Sequence, residues 1–231
     1  MKTLGLIGGT SWHSTIEYYR YINQYVNIHF GDNTNPPLLI YNLNQSLIHQ
    51  YQIESNWDDI AELLIKAGES LQNAGAESLM FCANTPHKVY NSVALKINIP
   101  ILHIADATAK AINSKGIKKV CFLGTKYTME EDFVTQRIRD NGIEVIVPTN
   151  NNAIDELHRI IQKELTYGNI TSKSKEFVIN VIKSLVNLGA EGVVLGCTEF
   201  PLIIKENDLK TPIFNTTKIH AIAGAVFTLM E

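Results

Sequence analysis

The chain has 231 residues, of which 45% are hydrophobic and 19% are charged, and its formal net charge is −3. Its apolar runs are shorter than the roughly 18 residues that a membrane span needs, and its basic residues are scattered, so we expect neither a membrane nor a nucleic-acid partner. The N-terminus passes directly into an apolar run without a signal-peptide pattern, and the chain has three cysteines, which predicts a cytoplasmic protein.

Short apolar runs alternate with longer helical patterns along the chain. Stretches such as 57–74 and 174–188 place apolar residues at helical spacing. Alternating strands and helices are typical of parallel sheets covered on both faces, which gives open, doubly wound units. The predicted strands are residues 4–7, 38–41, 79–81, 101–104, 120–123, 145–147, 193–195 and 213–214.

An internal repeat relates the two halves of the chain with an offset of 115 residues. The offset links Cys82 to Cys197, where each cysteine ends an apolar run and opens a Thr-containing turn, and it links Thr10 to Thr125. Gly-Ala-Glu precedes both cysteine runs, at 75–77 and 189–191, and Pro-Ile recurs later in each half. Landmarks matched in the same order predict a single unit used twice. The predicted fold class is α/β, with two similar doubly wound parallel-sheet domains related by a pseudo-twofold duplication.

The turns that carry these landmarks follow predicted strands. In open α/β sheets, ligands bind beyond the carboxyl ends of the strands, so these turns are candidate active-site edges. The first turn, at Gly8 to Thr10, lacks the glycine spacing of a dinucleotide site, and a carboxylate suits its backbone donors better than a nucleotide. Capping boxes predict helices that begin after Ser14 and Thr128, and Thr85 followed by proline predicts another helix start.

The chemistry of the predicted site depends on its thiols. A cysteine at a helix start meets positive partial charge and N–H donors, which are expected to lower its pKa. Two equivalent thiols on opposite walls of one cleft could invert a stereocentre, because one removes the α-proton and the other returns a proton to the opposite face. Backbone donors at Asn84, Thr85 and Thr198 could hold the substrate carboxylate. Cys121 lies within a strand, and we interpret it as a core residue.

Three motifs resemble the aspartate/glutamate racemase family, and its aspartate racemase branch more closely than glutamate racemase. They are Met-Phe-Cys-Ala-Asn-Thr at 80–85, Leu-Gly-Cys-Thr-Glu at 195–199 and the opening Gly-Leu-Ile-Gly-Gly-Thr-Ser-Trp at 5–12. The similarity extends to residues 160–165 and 212–216. The paired cysteine motifs are highly specific to that family.

This resemblance implies a cofactor-independent, two-thiol racemase whose small-molecule substrate is an amino acid. It also implies two similar α/β domains with the active site in the cleft between them, and usually a homodimer. It identifies Cys82 and Cys197 as the acid/base pair and assigns no metal ligand. It also implies a first domain of residues 1–98 plus 208–231 and a second domain of residues 99–207. The implied substrate-binding residues are Thr10, Ser11, Gln52, Asn84, Thr85 and Thr198, with Gln52 placed in the loop after the second strand.

The sequence departs from the aspartate racemase pattern at the positions that bind the distal carboxylate of the substrate. Relatives can use an arginine after the second strand and a lysine near a Glu-Leu-x-x-Gly turn. Here residues 41–52 contain no arginine, and the turn at 164–168 contains no lysine. Aspartate, or aspartate and glutamate, remains the expected substrate, but racemisation is better supported than the choice of side chain.

Other functions remain open at this point. A hydantoin racemase, a maleate-type isomerase or a decarboxylase could use similar cysteine turns, although a decarboxylase typically needs one thiol. A non-catalytic amino-acid-binding protein could keep the same cleft. A redox switch would require the two thiols to lie within disulfide range.

Overall fold

The computed structural model describes residues 1–230, which divide into two compact units. The first unit contains residues 1–104 and the C-terminal segment that begins at His220, and the second contains residues 105–219. Each unit contains one four-stranded sheet in which all neighbouring strands are parallel. The predicted α/β fold with two similar parallel-sheet domains is confirmed.

The first sheet is built from strands β1 (Leu4–Gly8), β2 (Leu38–Asn42), β3 (Ser78–Phe81) and β4 (Ile101–Leu102). Their order is β2-β1-β3-β4, so β1 and β3 lie in the middle. Both central strands are buried at every position, which is why they read as continuous apolar runs. The helices of this part are α1 (Trp12–Phe30), α2 (Gln45–Ile53), α3 (Trp57–Asn73) and α4 (Tyr90–Ala94), with a 3-10 helix at Thr85–Val89.

The second sheet repeats this topology with β5 (Lys119–Gly124), β6 (Glu144–Ile146), β7 (Gly192–Gly196) and β8 (Ile213–Asn215), in the order β6-β5-β7-β8. All eight strands overlap the apolar runs that predict them, but β4 ends at Leu102, and Ile104 of the predicted run 101–104 already begins the next helix. The remaining helices are α5 (Ile104–Ser114), α6 (Lys126–Glu130), α7 (Thr135–Arg139), α8 (Asn151–Lys163), α9 (Ser172–Asn187), α10 (Phe200–Ile203) and α11 (Thr216–Thr228), with 3-10 helices at Leu165–Tyr167 and Glu206–Asp208.

The division between the units differs from the expected domain boundaries, which lie at 98/99 and 207/208. Strand β4 pairs with β3, which keeps the chain in the first unit as far as Ile104. Strand β8 pairs with β7, which keeps the chain in the second unit as far as Ile219. Each sheet therefore retains its fourth strand before the chain passes to the other unit.

Two predicted helix starts are wrong by three residues. Helix α1 begins at Trp12 because Ser11 is its N-cap and accepts a hydrogen bond from the N–H of Ser14. Helix α6 begins in the same way, with Thr125 accepting from the N–H of Thr128. In both halves two hydroxyl residues lie three positions apart, and the earlier one caps the helix. The helix therefore begins almost at once after the strand.

The alternation of side chains along β1 and β3 divides the core of the first unit into two clusters. Ile7 and Phe81 belong to a cluster with residues of α3, whereas Leu6 and Cys82 belong to a cluster with Tyr18 of α1 and small residues of α11. Successive strand residues point to opposite faces of a sheet, so each helical layer covers one set. Within residues 1–230, no helix is long and apolar enough to cross a membrane.

Gly196, at the end of β7, is packed too closely to carry a side chain. A Cβ atom there would lie 2.0 Å from Cζ of Phe122 on the neighbouring strand. We expect Gly196→Ala to lower the free energy of unfolding by roughly 3 kcal/mol, because overpacking of a buried sheet forces side chains and backbone to move. Chemical denaturation measures this loss. Adding Phe122→Leu should recover part of it, and a double variant no more stable than Gly196→Ala would contradict the steric explanation.

Candidate active site

The candidate site residues of the first unit lie at the carboxyl ends of β1 and β3, which are neighbours in the first sheet. Cys82 directly follows β3 and is fully buried. Its N–H donates to the carbonyl of Ile7 at 2.9 Å, and its carbonyl accepts from the hydroxyl of Ser14 at 2.6 Å. The start of α1 and the end of β3 are therefore joined at the cysteine.

Two predicted substrate residues, Thr10 and Ser11, lie in the turn between β1 and α1. Thr10 is only 8% exposed, and its hydroxyl oxygen has no hydrogen-bond partner within the described part of the chain. Buried hydroxyl groups in native proteins are usually paired, so this oxygen is suited to contact a ligand. The hydroxyl of Ser11 is instead engaged with Ser14 as the N-cap of α1. The two neighbours are thus suited to different tasks.

Of the other residues predicted in the first unit, Asn84 and Thr85 follow Cys82 closely in the chain, whereas Gln52 lies on a different element. Asn84 and Thr85 are buried in the turn that leads from Cys82 into the 3-10 helix. Gln52 is half-buried near the end of α2, not in a loop as predicted, because α2 begins at Gln45, close after β2. The structure therefore groups Thr10, Ser11, Cys82, Asn84 and Thr85 along neighbouring strands and leaves Gln52 on the element that follows the outer strand.

The candidate site residues of the second unit lie at the end of β7. The thiol of Cys197 donates to Oε2 of Glu199 at 3.0 Å, and the hydroxyl of Thr198 donates to the same oxygen at 2.7 Å. Cys197 and Glu199 are both buried. Thr125, at the end of neighbouring β5, caps α6 as Ser11 caps α1.

Glu199 was not among the predicted site residues. It occupies the second position after Cys197, as Asn84 does after Cys82. The repeat therefore places a carboxylate in one half where the other half has an amide, and this contrast is visible in the sequence. What the sequence does not show is that the carboxylate turns back onto the thiol.

The expected lowering of the thiol pKa at these two cysteines is wrong. Burial raises the pKa of Cys82 far above that of an exposed thiol. The pKa of Cys197 is also raised, first by burial and then by the negative charge and hydrogen bond of Glu199. The N–H groups of Thr198 and Glu199 act in the opposite direction, as expected for donors at a turn, but burial outweighs them. Both thiols are therefore protonated at neutral pH.

Cys121 differs from the other two cysteines in its position. It lies in the middle of β5, is fully buried in the apolar core of the second unit, and burial raises its pKa to about 12. No disulfide joins any of the three cysteines. This placement suits a packing role, as the sequence predicts.

Comparison with known proteins identifies the group to which this fold and these turns belong. The chain is a member of the Asp/Glu/Hydantoin racemase family, whose family model matches residues 7–223. It is 43% identical to a candidate Asp/Glu racemase from Yersinia pestis, with 100% of both chains covered and a TM-score of 0.93. It is also 39% identical to an aspartate racemase homologue from Pyrococcus horikoshii OT3, again with 100% of both chains covered, at a TM-score of 0.86.

A more distant relative is the broad specificity amino-acid racemase RacX of Bacillus subtilis (strain 168). The chain is 25% identical to it over 146 residues, which cover 62% of this chain and 63% of RacX. The match thus spans less than two thirds of that protein. The family resemblance indicated by the cysteine motifs is confirmed, and family membership supports a racemase.

Proposed function

We propose that the protein is a cofactor-independent amino-acid racemase that acts on aspartate, or on aspartate and glutamate. The observation that carries the proposal is the equivalence of Cys82 and Cys197, which follow the third strand of two sheets with the same topology. Similarity to the aspartate racemase homologue over the whole chain supports the choice of substrate. Similarity to RacX makes a wider amino-acid range worth testing.

The proposed reaction exchanges one proton at each thiol. The thiolate of one cysteine takes the α-proton, so that the C–H bond breaks and an S–H bond forms. The thiol of the other cysteine gives its proton to the opposite face of the carbanion and becomes the thiolate. The protein is then left in the protonation state that converts the other enantiomer, and no electron acceptor is required.

The raised pKa values of Cys82 and Cys197 suit this reaction in one respect and oppose it in another. A thiolate whose conjugate acid has a high pKa is a strong base, which helps with a weakly acidic α-proton. The same pKa makes the thiolate scarce at neutral pH. The positively charged ammonium group of the substrate, held beside the thiols, must offset that scarcity.

Substrate binding is assigned to Thr10, Ser11, Asn84 and Thr85 in the first unit and to Thr198 in the second, with Gln52 contacting the side chain. The unpartnered Thr10 oxygen is the strongest of these assignments. Ser11 would contribute through its backbone, because its hydroxyl caps α1. A homodimer and a cytoplasmic location complete the proposal, and light scattering of the purified protein tests the first.

Incubation with single enantiomers in D₂O tests the proposed function. We expect L- and D-aspartate each to yield the other enantiomer by chiral chromatography, with deuterium at the α-carbon of the product. A panel of further amino acids, glutamate first, measures the breadth of the substrate range, and the Cys82→Ser/Cys197→Ser double variant is the matched control. Release of carbon dioxide without inversion would indicate a decarboxylase, and no conversion across the panel would overturn the proposal.

A further inference from the structure

His87 is a buried histidine for which the racemase proposal has no role. It lies in the 3-10 helix Thr85–Val89 and is 2% exposed. Its ring packs among other rings, with centroids 4.4 Å from His103 and 5.1 Å from Phe81, and it stacks on Tyr90 at 6.4 Å. No group of three or more His, Cys, Asp or Glu side chains in the described chain is arranged to hold a metal ion.

The hydrogen bonds of His87 define its tautomer. The N–H of Ile104 donates to Nε2 at 3.2 Å, so Nε2 carries the lone pair. Nδ1 therefore carries the hydrogen, and it faces the carbonyl oxygens of Ala83 and Asn84 at 3.0 and 3.2 Å. One neutral ring thus joins the turn after Cys82 to the first residue of α5.

The environment of the ring keeps it neutral. Burial is the main cause that lowers the pKa of His87 well below its usual value, and the neighbouring His103 and His220 lower it further. The carbonyls of Asn84 and Ala83 favour the charged form, but their effect is smaller. A protonated ring would carry a hydrogen on Nε2 and could no longer accept from Ile104.

The contacts of Nδ1 also orient the backbone beside Cys82. The C=O and N–H of a trans peptide group point in opposite directions. When the carbonyls of Ala83 and Asn84 face the ring, the N–H groups of Asn84 and Thr85 are directed away from it. These are the N–H groups that we assign to the substrate carboxylate.

The second unit holds its cysteine turn by other means. Proline occupies the fourth position after each cysteine, at Pro86 and Pro201, which aligns His87 with Leu202. The side chain of Leu202 has no polar atom, so it cannot form the hydrogen bonds that the His87 ring forms, and the residue is 39% exposed. The turn after Cys197 instead has a side-chain contact to the thiol itself, because the carboxylate of Glu199 accepts a hydrogen bond from Cys197.

We propose that His87 is a positioning residue, whose neutral imidazole fixes the turn after Cys82 and ties it to the start of α5. The inference rests on the proposed role of Cys82 in racemisation. It adds that the two thiols, although equivalent in topology, are positioned by different contacts. The imidazole of His87 contacts backbone carbonyls beside Cys82, whereas the carboxylate of Glu199 accepts a hydrogen bond from the sulfur of Cys197.

Three substitutions separate the two contacts of the ring. His87→Asn keeps a donor near the Nδ1 position, His87→Gln keeps an acceptor that can reach towards Ile104, and His87→Leu removes both. If orientation of the carbonyls matters most, His87→Asn should keep KM within about twofold of the wild-type value, whereas His87→Gln and His87→Leu should raise it by about tenfold. Leu202→Ala, at the aligned position, is the matched control and should change neither KM nor kcat.

Alkylation by iodoacetamide, followed by peptide mass spectrometry, gives a readout that does not depend on enzymatic activity. Buried thiols react through local opening, so the rate at each cysteine reports the stability of its own surroundings. In His87→Leu we expect Cys82 to react about tenfold faster, with Cys121 and Cys197 unchanged in the same sample. His87→Asn should keep Cys82 near the wild-type rate.

The outcomes distinguish failure of this inference from failure of the proposed function. Equal acceleration at all three cysteines would show that His87 merely stabilises the whole fold, and an unchanged rate at Cys82 in His87→Leu would also overturn the inference. A His87→Asn variant as reactive as His87→Leu would show that the carbonyl contacts do not matter. A wild-type protein that converts no enantiomer would refute the racemase proposal, whereas the alkylation rates would still decide the role of His87.

Discussion

Replacing either Cys82 or Cys197 with serine is expected to lower kcat/KM for racemisation by at least about 1,000-fold. Positioned general acids and bases contribute about 100- to 10,000-fold to rates, and a serine hydroxyl is a far weaker acid than a thiol. Both halves of the reaction need both groups, because the group that accepts a proton in one direction donates it in the other. The two single variants should therefore lose activity to a similar extent, and the double variant should lose little more.

Chiral chromatography of aspartate measures the loss, and Cys121→Ala is the matched control. Cys121 is buried like the other two but lies within β5, so its replacement should leave kcat/KM within about threefold while lowering stability. Deuterium exchange adds a second readout, since a variant with one thiol left could still remove a proton from one enantiomer without inverting it. Full activity in either serine variant would exclude the two-thiol mechanism.

The strands of this fold can be predicted from sequence because their signal is local. Central strands such as β1 and β7 are buried on both faces, so they appear as unbroken apolar runs ended by glycine. The repeat could be recognised for a related reason: equivalent strands end in equivalent turns. The sequence predicts the starts of α1 and α6 three residues too late because two hydroxyl residues could cap each helix. Only the path of the chain after the strand decides which of them is the N-cap.

The sequence indicates which cysteines follow the strands, but it does not indicate the electrostatics around their thiols. Position after a strand indicated Cys82 and Cys197, and helix-start chemistry suggested lowered pKa values. The structure shows that burial dominates at both thiols. The extent of burial depends on side chains distant in sequence, such as Tyr18 and Ala221 around Cys82, and no local pattern reports it.

The contacts of Glu199 and His87 were not predicted for a different reason. Each depends on the rotation of a side chain towards a partner within the same short turn. A sequence shows that a carboxylate or an imidazole is present, but not that it faces a thiol or a carbonyl. The comparison of the two halves was nevertheless informative, because Glu199 aligns with Asn84 and His87 with Leu202.

Glu199→Gln is expected to lower kcat/KM by about 10- to 100-fold, the range for losing a hydrogen bond to a charged group. The carboxylate of Glu199 accepts from the thiol of Cys197 at 3.0 Å and raises its pKa. Without that charge the pKa of Cys197 falls, so this cysteine loses its proton at a lower pH and its thiolate becomes a weaker general base. The alkaline limb of the pH profile of kcat/KM should therefore move to lower pH.

The effect of Glu199→Gln on the two enantiomers is constrained by thermodynamics. Enantiomers have equal free energy in water, so kcat/KM must fall by the same factor for the L and D forms, although kcat and KM can each change differently. Thr198→Val removes only the second donor to the same oxygen and should change kcat/KM less. Glu206→Gln, at an exposed site of the second unit, controls for the loss of one negative charge. An alkaline limb that stays in place in Glu199→Gln would show that the carboxylate does not control the acidity of Cys197 during turnover.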